Sequence, residues 1–172
     1  MNEKTPDIST PEGLSVPPVI IVENLSKTFI LHQQGGVEIN AISDISFSVA
    51  AGECVALHGP SGAGKSTLLR TLYGNYLPTS GAVYVRWGES IIDIVKADPR
   101  TIIRMRQRCL GYVSQFLRVI PRVTSLDLVA EPLLEVGCSQ SEARAAGAAI
   151  VGIFHDDMAR EAVANRLVCL VS

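Results

Sequence analysis

A glycine-rich stretch in the first half of the chain combines residue types that suit the binding of phosphate groups. It fits the pattern G-x-x-x-x-G-K-[ST] at every fixed position, and its members are Gly59, Pro60, Ser61, Gly62, Ala63, Gly64, Lys65 and Ser66, followed by Thr67. A short apolar run, Glu53 to His58, comes directly before it, and leucines at helical spacing come directly after it. A strand, a glycine-rich turn and a helix in this order predict a site for a nucleoside triphosphate.

Each residue type in this loop has a chemical reason to be there. Glycines let the backbone adopt left-handed conformations and approach the phosphate oxygens closely. Backbone N–H groups and the N-terminus of the following helix then face the anion. The Lys65 ammonium is expected to reach the β- and γ-phosphates, and the Ser66 hydroxyl is expected to bind Mg²⁺. The alternative is a glycine-rich turn that only opens a helix.

The composition excludes several classes of protein. With 172 residues, of which 47% are hydrophobic and 19% charged, the chain suits one globular domain with a sizeable core. A net charge of −2 and the lack of a basic tail argue against a nucleic-acid partner. The most apolar stretch, Ala148 to Phe154, is too short to cross a membrane, and the N-terminus lacks the apolar core of a signal peptide. We therefore expect a cytoplasmic protein with no direct membrane insertion.

The cysteines do not follow the spacing of a metal site or a disulfide framework. They are scattered along the chain, at Cys54, Cys109, Cys138 and Cys169. We expect reduced thiols that are mostly buried.

Hydrophobic patterns predict one domain behind a disordered lead-in. Residues 1–18 contain several prolines among polar residues and are predicted to be disordered, and residues 19–172 form the domain. Early strands are expected at Val19–Val22, Leu25–Leu31 and Ala41–Val49, with a hairpin of Ala82–Trp87 and Ile91–Val95 after the loop and its helix. Pro99–Cys109 is predicted to be a helix whose arginines either face solvent or dock an anionic partner.

The second half is predicted to alternate strands and helices. Strands are expected at Leu110–Gln115, Ile150–Phe154 and Val168–Val171. Helices are expected over Ser125–Val136, from Ser139 onward, and over Met158–Leu167.

This order of elements resembles the ATP-binding subunits of ABC-type ATPases. The resemblance implies an α/β fold of the P-loop NTPase class, with a mixed sheet and an antiparallel β subdomain. Three stretches, Gln33–Val37, Gly111–Arg122 and Ile150–Asp156, look like the PhnL-type ATP-binding subunits of the bacterial phosphonate carbon–phosphorus lyase system. That resemblance implies ATP and Mg²⁺ as cofactors and lyase subunits as partners, with a second ABC-type subunit as a further candidate partner.

The resemblance also assigns roles to residues outside the loop. Phe29 matches the aromatic residue that stacks on adenine, and Gln115 matches the glutamine that touches Mg²⁺ or the attacking water. His155 matches the switch histidine that contacts the γ-phosphate, so Gln115 and His155 are the candidate catalytic residues. A plainer interpretation remains for each: Gln115 ends a strand, and His155 precedes a helix.

Two elements of the family pattern are missing from this sequence. Neither a Leu-Ser-Gly-Gly-Gln-like signature nor an apolar strand ending in Asp-Glu (the Walker B strand) occurs between Gln115 and His155. Their place falls in the alanine-rich run Ala143–Ala149, where we infer an internal deletion. Mg²⁺ ligation by the acidic strand and the orientation of water would both be lost. We therefore expect weak or no ATP hydrolysis, and a sheet with an unfilled slot beside the His155 strand.

Other functions stay open at this point. The chain could be the ATP-binding subunit of a membrane importer, or a non-catalytic nucleotide-binding protein. A kinase-like enzyme would need a base at Asp93, Asp98 or Asp156, and none of these follows four apolar residues at the end of a strand.

Overall fold

The computed structural model describes residues 17–111, 149–153, 160–161, 164 and 166–170. Two sheets and two longer helices account for most of them. In chain order the elements are β1 (Pro18–Leu31), a 3-10 turn (His32–Gln34), β2 (Val37–Ala50), β3 (Cys54–His58), α1 (Lys65–Leu72), β4 (Ser80–Trp87), β5 (Ser90–Asp93), α2 (Pro99–Arg108), β6 (Ile150–Gly152) and β7 (Arg166–Cys169).

The first sheet is antiparallel and has the strand order β2-β1-β4-β5. β1 and β2 form one long ladder that ends where Leu31 pairs with Val37, so β2 begins four residues before the predicted Ala41. The strands reverse through the 3-10 turn and two glycines with positive φ, Gly35 and Gly36. Residues 32–36, between the predicted strands Leu25–Leu31 and Ala41–Val49, therefore form a tight turn inside a hairpin.

β1 is a single strand where the sequence predicts two. The polar residues Glu23 and Asn24 suggest a turn, but they lie at an irregularity in the β1–β2 pairing. Asn24 has φ of 45°, and its side-chain amide donates to the Asp44 carboxylate at 2.9 Å. Its backbone N–H donates to the Ser46 hydroxyl at 2.8 Å. These bonds satisfy the backbone locally, so the strand bends without ending.

The second sheet is parallel and has β3 at its centre. Its order is β6-β3-β7, and Val55 and Ala56 of β3 are fully buried. β6 begins at Ile150 as predicted and ends at Gly152. Among the residues that the structure describes, β3 is its one strand partner, and the predicted Gln115 strand that would define the unfilled slot lies mostly outside them.

The end of the chain differs from its prediction. Amphipathic spacing predicts a helix through Leu167, but Arg166 and Leu167 are the first residues of β7. They pair with Val55 and Ala56, because the open edge of β3 offers ladder hydrogen bonds that outweigh local helical preference.

α2 packs against the antiparallel sheet through Met105, which is fully buried. Asp98 caps its N-terminus by accepting from the N–H groups of Arg100 and Thr101. Of its arginines, Arg106 donates to the Tyr73 carbonyl at 3.2 Å and thereby joins α2 to the end of α1. One of the arginines that were predicted to face solvent or an anionic partner therefore makes a contact that stabilises the fold.

The thiols are more exposed than expected. Cys54 is buried on the central strand, whereas Cys109 and Cys169 are exposed because they lie just past α2 and at the end of β7. The predicted strand Leu110–Gln115 and the helices from Ser125 and Ser139 lie outside the described residues, apart from Leu110 and Gly111.

Candidate functional site

The phosphate-loop candidate connects the central strand to a helix, as its sequence predicts. β3 ends at His58 and α1 begins at Lys65, with Gly64 as the N-cap residue at φ of 82°. The Leu68 N–H donates to the Gly64 carbonyl at 2.8 Å, which closes the first helical turn. Among the residues that the structure describes, no side chain caps this helix start. Its first N–H groups are therefore suited to receive an anion.

Two of the loop glycines lie where no side chain fits. A Cβ at Gly59 would lie 2.6 Å from the Leu170 carbonyl oxygen, and a Cβ at Gly64 would overlap the Ala41 carbonyl oxygen. Gly62 also has positive φ, but a Cβ there would meet nothing within 4 Å. β2 and the end of β7 therefore hold the loop backbone from two sides.

The Lys65 side chain folds back over the start of the loop. Its ammonium donates to the carbonyls of Gly59 and Pro60, both at 2.7 Å. Since an ammonium has three donors, these bonds place a positive charge at the mouth of the loop and leave a donor for a ligand. The side chain of Ser66, the next residue, is exposed.

This arrangement fits a polyphosphate with a bound magnesium ion. The backbone cradle is lined by glycine, the helix start is uncapped, and Lys65 supplies the charge. Among the described residues, no three His, Cys, Asp or Glu side chains cluster as a metal site. The exposed Ser66 hydroxyl is an oxygen donor of the kind that Mg²⁺ takes, beside the oxygens of a bound phosphate.

Phe29 lies on β1, close in sequence to the residue that pairs with Ile42 of β2. Lys27 and Phe29 are two residues apart on β1 and so share a face, and Lys27 pairs with Ile42 on β2. Ile42 is buried, and its Cγ1 would lie 3.3 Å from a Cβ at Gly64. Ile42, the partner of Lys27, is therefore the residue of this pair of strands that lies beside the loop, and Phe29 follows two residues along β1.

The Phe29 ring already has two neighbours. The Tyr76 ring meets it edge to face, with centroids 5.4 Å apart and planes at 82°. The Lys27 ammonium lies 4.9 Å from the ring centroid. Tyr76 lies four residues beyond the end of α1 at Leu72. Its contact with Phe29 of β1 depends on the tertiary fold, and no local sequence pattern predicts it.

An ion pair fastens the strand that supports the loop. Arg166 of β7 donates to the Glu53 carboxylate at 2.6 Å and also to the Ser48 carbonyl. Partial burial alone would raise the pKa of Glu53. Hydrogen bonds from Arg166 and the Ala50 N–H, together with the positive charge of Arg166, outweigh burial and hold this pKa below its usual value. On the next residue, burial is the main cause that raises the pKa of the Cys54 thiol.

The remaining predicted site residues, Gln115 and His155, lie outside the described residues. The structure describes the whole 59–67 loop, and it places Phe29 on β1, whose partner strand β2 lies against the loop at Ala41 and Ile42. Sequence reasoning did not include Leu170 and Ala41 in the site, because they act through backbone carbonyls that carry no signature in residue type.

Comparisons with known proteins match most of the chain. A family described as ABC transporter matches residues 42–168. The lipoprotein-releasing system ATP-binding protein LolD of Xylella fastidiosa is 38% identical over 144 residues, which are 84% of this chain and 55% of that protein. LolD of Coxiella burnetii is 38% identical over 120 residues, 70% of this chain and 48% of that protein. The chain thus spans about half the length of the curated relatives it matches.

Solved structures agree with the sequence relatives. A dimer of the ATP-binding cassette MJ0796, bound to ADP and Pi after hydrolysis, is 30% identical with a TM-score of 0.51 and covers 73% of this chain and 53% of that chain. An ATP-binding subunit of an ABC transporter has a TM-score of 0.58, covers 88% of this chain and 85% of that chain, and is 20% identical, so it supports the fold alone. In the part of the chain that the structure describes, no helix is both long and apolar enough to cross a bilayer.

Proposed function

This chain belongs to the ABC transporter family of ATP-binding subunits, and from that premise we propose that its loop at residues 59–67 binds the phosphates of ATP together with Mg²⁺. The observation that carries the proposal is the Lys65 ammonium, held over an uncapped helix start by two carbonyls of its own loop. Glycine is required where the loop backbone meets the Leu170 and Ala41 carbonyls. A glycine-lined backbone of this kind can approach an anion closely.

Each part of the loop has one task in this proposal. Lys65 neutralises charge on the β- and γ-phosphates, and the backbone N–H groups from Gly62 to Thr67 donate to phosphate oxygens. Ser66 binds the magnesium ion, which offsets charge on the β- and γ-phosphate oxygens when it is present. Phe29 stacks on the base, because an aromatic face binds a nucleobase without needing hydrogen bonds.

Replacing Lys65 by alanine tests the phosphate assignment. A hydrogen bond to a charged group contributes about 1.5–3 kcal/mol, so Lys65→Ala should weaken MgATP binding by about 10- to 100-fold. The measurement is isothermal titration of the purified chain with MgATP. Lys96→Ala is the matched control, because Lys96 is exposed and pairs with Asp93 on the remote hairpin. Equal affinity of Lys65→Ala and the parent chain would show that the loop does not bind phosphate.

Gln115 and His155 are proposed as the residues that sense the γ-phosphate. If so, Gln115→Ala and His155→Ala should narrow the difference in affinity between ATP and ADP, since only ATP carries that phosphate. Similar losses for both nucleotides would instead assign these side chains a structural task.

We further propose that the chain serves a transporter by binding a membrane-embedded partner subunit. The matched relatives carry the name of a lipoprotein-releasing system, which favours transport over the carbon–phosphorus lyase assignment; the comparisons give that assignment no support. The lyase hypothesis depends on three stretches, of which Gln33–Val37 is described, whereas most of Gly111–Arg122 and Ile150–Asp156 lies outside the described residues.

Fractionation of the native host distinguishes these partners. Affinity-tagged chain should sediment with membranes and be released by detergent together with a membrane protein. Recovery in a soluble complex that contains lyase subunits would overturn the transport proposal in favour of the lyase.

A further inference from the structure

The ring that is proposed to stack on the base is held by residues at the far end of the phosphate-binding helix. Tyr76 follows α1 after a short turn, and its ring meets Phe29 edge to face at 5.4 Å. An edge-to-face pair is directional, because the positive edge of one ring lies against the negative face of the other. The contact therefore limits the angles that the Phe29 ring can adopt.

Tyr76 is itself fixed by the helix. The Arg70 guanidinium, in the last turn of α1, donates to the Tyr76 hydroxyl at 2.9 Å and lies 5.8 Å from the ring centroid. Slightly further along, the Thr28 N–H donates to the Thr79 hydroxyl at 2.9 Å. The segment that carries Tyr76 is therefore tied to α1 on one side and to β1, next to Phe29, on the other.

One rigid element thus connects the two ends of the site. α1 begins with Lys65 at the phosphate loop and carries Arg70 in its last turn. Because an α-helix has a fixed rise per residue, the helix sets the separation between the phosphate cradle and the Tyr76 ring. Through the ring pair it also sets the position of Phe29.

We propose that Tyr76 is a positioning residue for the nucleotide base, which holds the Phe29 ring ready to stack. The inference rests on the proposed binding of ATP and adds a selectivity element outside the phosphate loop. Because Tyr76 is proposed to act on the base alone, its substitution should not change the affinity for a ligand that consists only of phosphate.

The test compares MgATP with magnesium tripolyphosphate, which has the phosphates without the base. Tyr76→Leu keeps an apolar side chain but removes the aromatic ring, and Tyr76→Phe keeps the ring and removes the hydroxyl. From the strength of edge-to-face pairs, Tyr76→Leu should weaken MgATP binding by about 2- to 10-fold and leave tripolyphosphate binding unchanged. Tyr76→Phe should recover most of the loss. Tyr84→Leu is the control, since Tyr84 lies on β4 opposite Asp93.

A double substitution shows whether Tyr76 acts through Phe29. Phe29→Leu alone should weaken MgATP binding by about 5- to 100-fold, and adding Tyr76→Leu should cause no further loss. Additive losses, equal losses for both ligands, or no loss with Tyr76→Leu would each overturn the inference. If neither ligand binds the parent chain, the proposed function itself fails, which is a different result from selective loss of ATP.

Discussion

At the scale of single residues, the glycines of the phosphate loop have different tasks. Gly62 and Gly64 have nearly the same φ, 86° and 82°, so both pay the same backbone penalty if replaced. Their surroundings differ, because space is open beside Gly62 and the Ala41 carbonyl fills the space beside Gly64. Replacing each of these glycines by alanine therefore distinguishes the cost of backbone strain from the cost of a steric clash.

We predict unequal losses of stability for these two alanine substitutions. Gly62→Ala should lower the free energy of unfolding by about 1–2 kcal/mol, from the left-handed conformation alone. Gly64→Ala should lower it by a further 1–3 kcal/mol or so, because β2 or the loop must move. Urea denaturation of both variants measures the difference. Equal values would show that Ala41 does not constrain the loop.

At the scale of elements, the strand β7 is joined to the turn before β3 by a charge pair. Glu53 lies before β3, and Arg166 opens β7 and contacts Glu53 and the Ser48 carbonyl together. Because the Arg166 side chain is 42% exposed, solvent screens the pair and limits its contribution to about 1 kcal/mol. The pair specifies where β7 begins as well as stabilising it.

The pH dependence of this contribution follows from the lowered pKa of Glu53. A group whose pKa is lower in the folded state stabilises the protein above its unfolded pKa, and the benefit is lost as the pH falls through the folded value. Glu53→Gln keeps an acceptor for the Ala50 N–H but removes the charge. Its destabilisation should therefore be about 1 kcal/mol at pH 7 and should vanish at an acid pH below the lowered pKa of Glu53. Denaturation at both pH values measures it.

Glu89→Gln provides the reference for that titration, since Glu89 is exposed in the β4–β5 turn. It should change stability little at either pH. A loss with Glu53→Gln that persists unchanged in acid would assign the effect to packing rather than to charge.

The sequence predicts the elements that are specified locally and misses those decided by distant partners. The sequence predicts the strand before the phosphate loop within one residue of its observed start and predicts a helix directly after the loop, because glycine and leucine spacing act within a few residues. The single strand β1 was predicted as two, because the bond from Asn24 to Asp44 that keeps it continuous joins residues 20 apart. The start of β7 is predicted as helix from local spacing. The contact between Arg166 and Glu53 that favours a strand there joins residues 113 apart in the sequence.

At the scale of the whole molecule, nucleotide binding and hydrolysis should separate. The binding loop is built from residues that the structure describes, whereas the sequence has no Asp-Glu pair to orient water or complete the magnesium site. A positioned acid or base contributes about 100-fold or more to such reactions. Hydrolysis by this chain should therefore be at least about 100-fold slower than that of a LolD relative measured beside it.

Release of inorganic phosphate under saturating MgATP measures this rate. The Lys65→Ala variant serves as the background, because it reports any contaminating ATPase. Turnover that approaches the relative's rate and disappears in Lys65→Ala would show that another group replaces the acidic pair.

The position of β3 between β6 and β7 also bears on when the site can exist during synthesis. The loop and its helix leave the ribosome early, yet the strands on either side of β3 and the Leu170 carbonyl that contacts Gly59 come from the last quarter of this sequence. The antiparallel sheet can assemble as soon as residue 93 has emerged, whereas the parallel sheet must wait for residue 169. A nascent chain therefore carries its phosphate-binding sequence long before it carries a phosphate-binding site. Nucleotide, which stabilises only the form that binds it, can act on folding only at that late step.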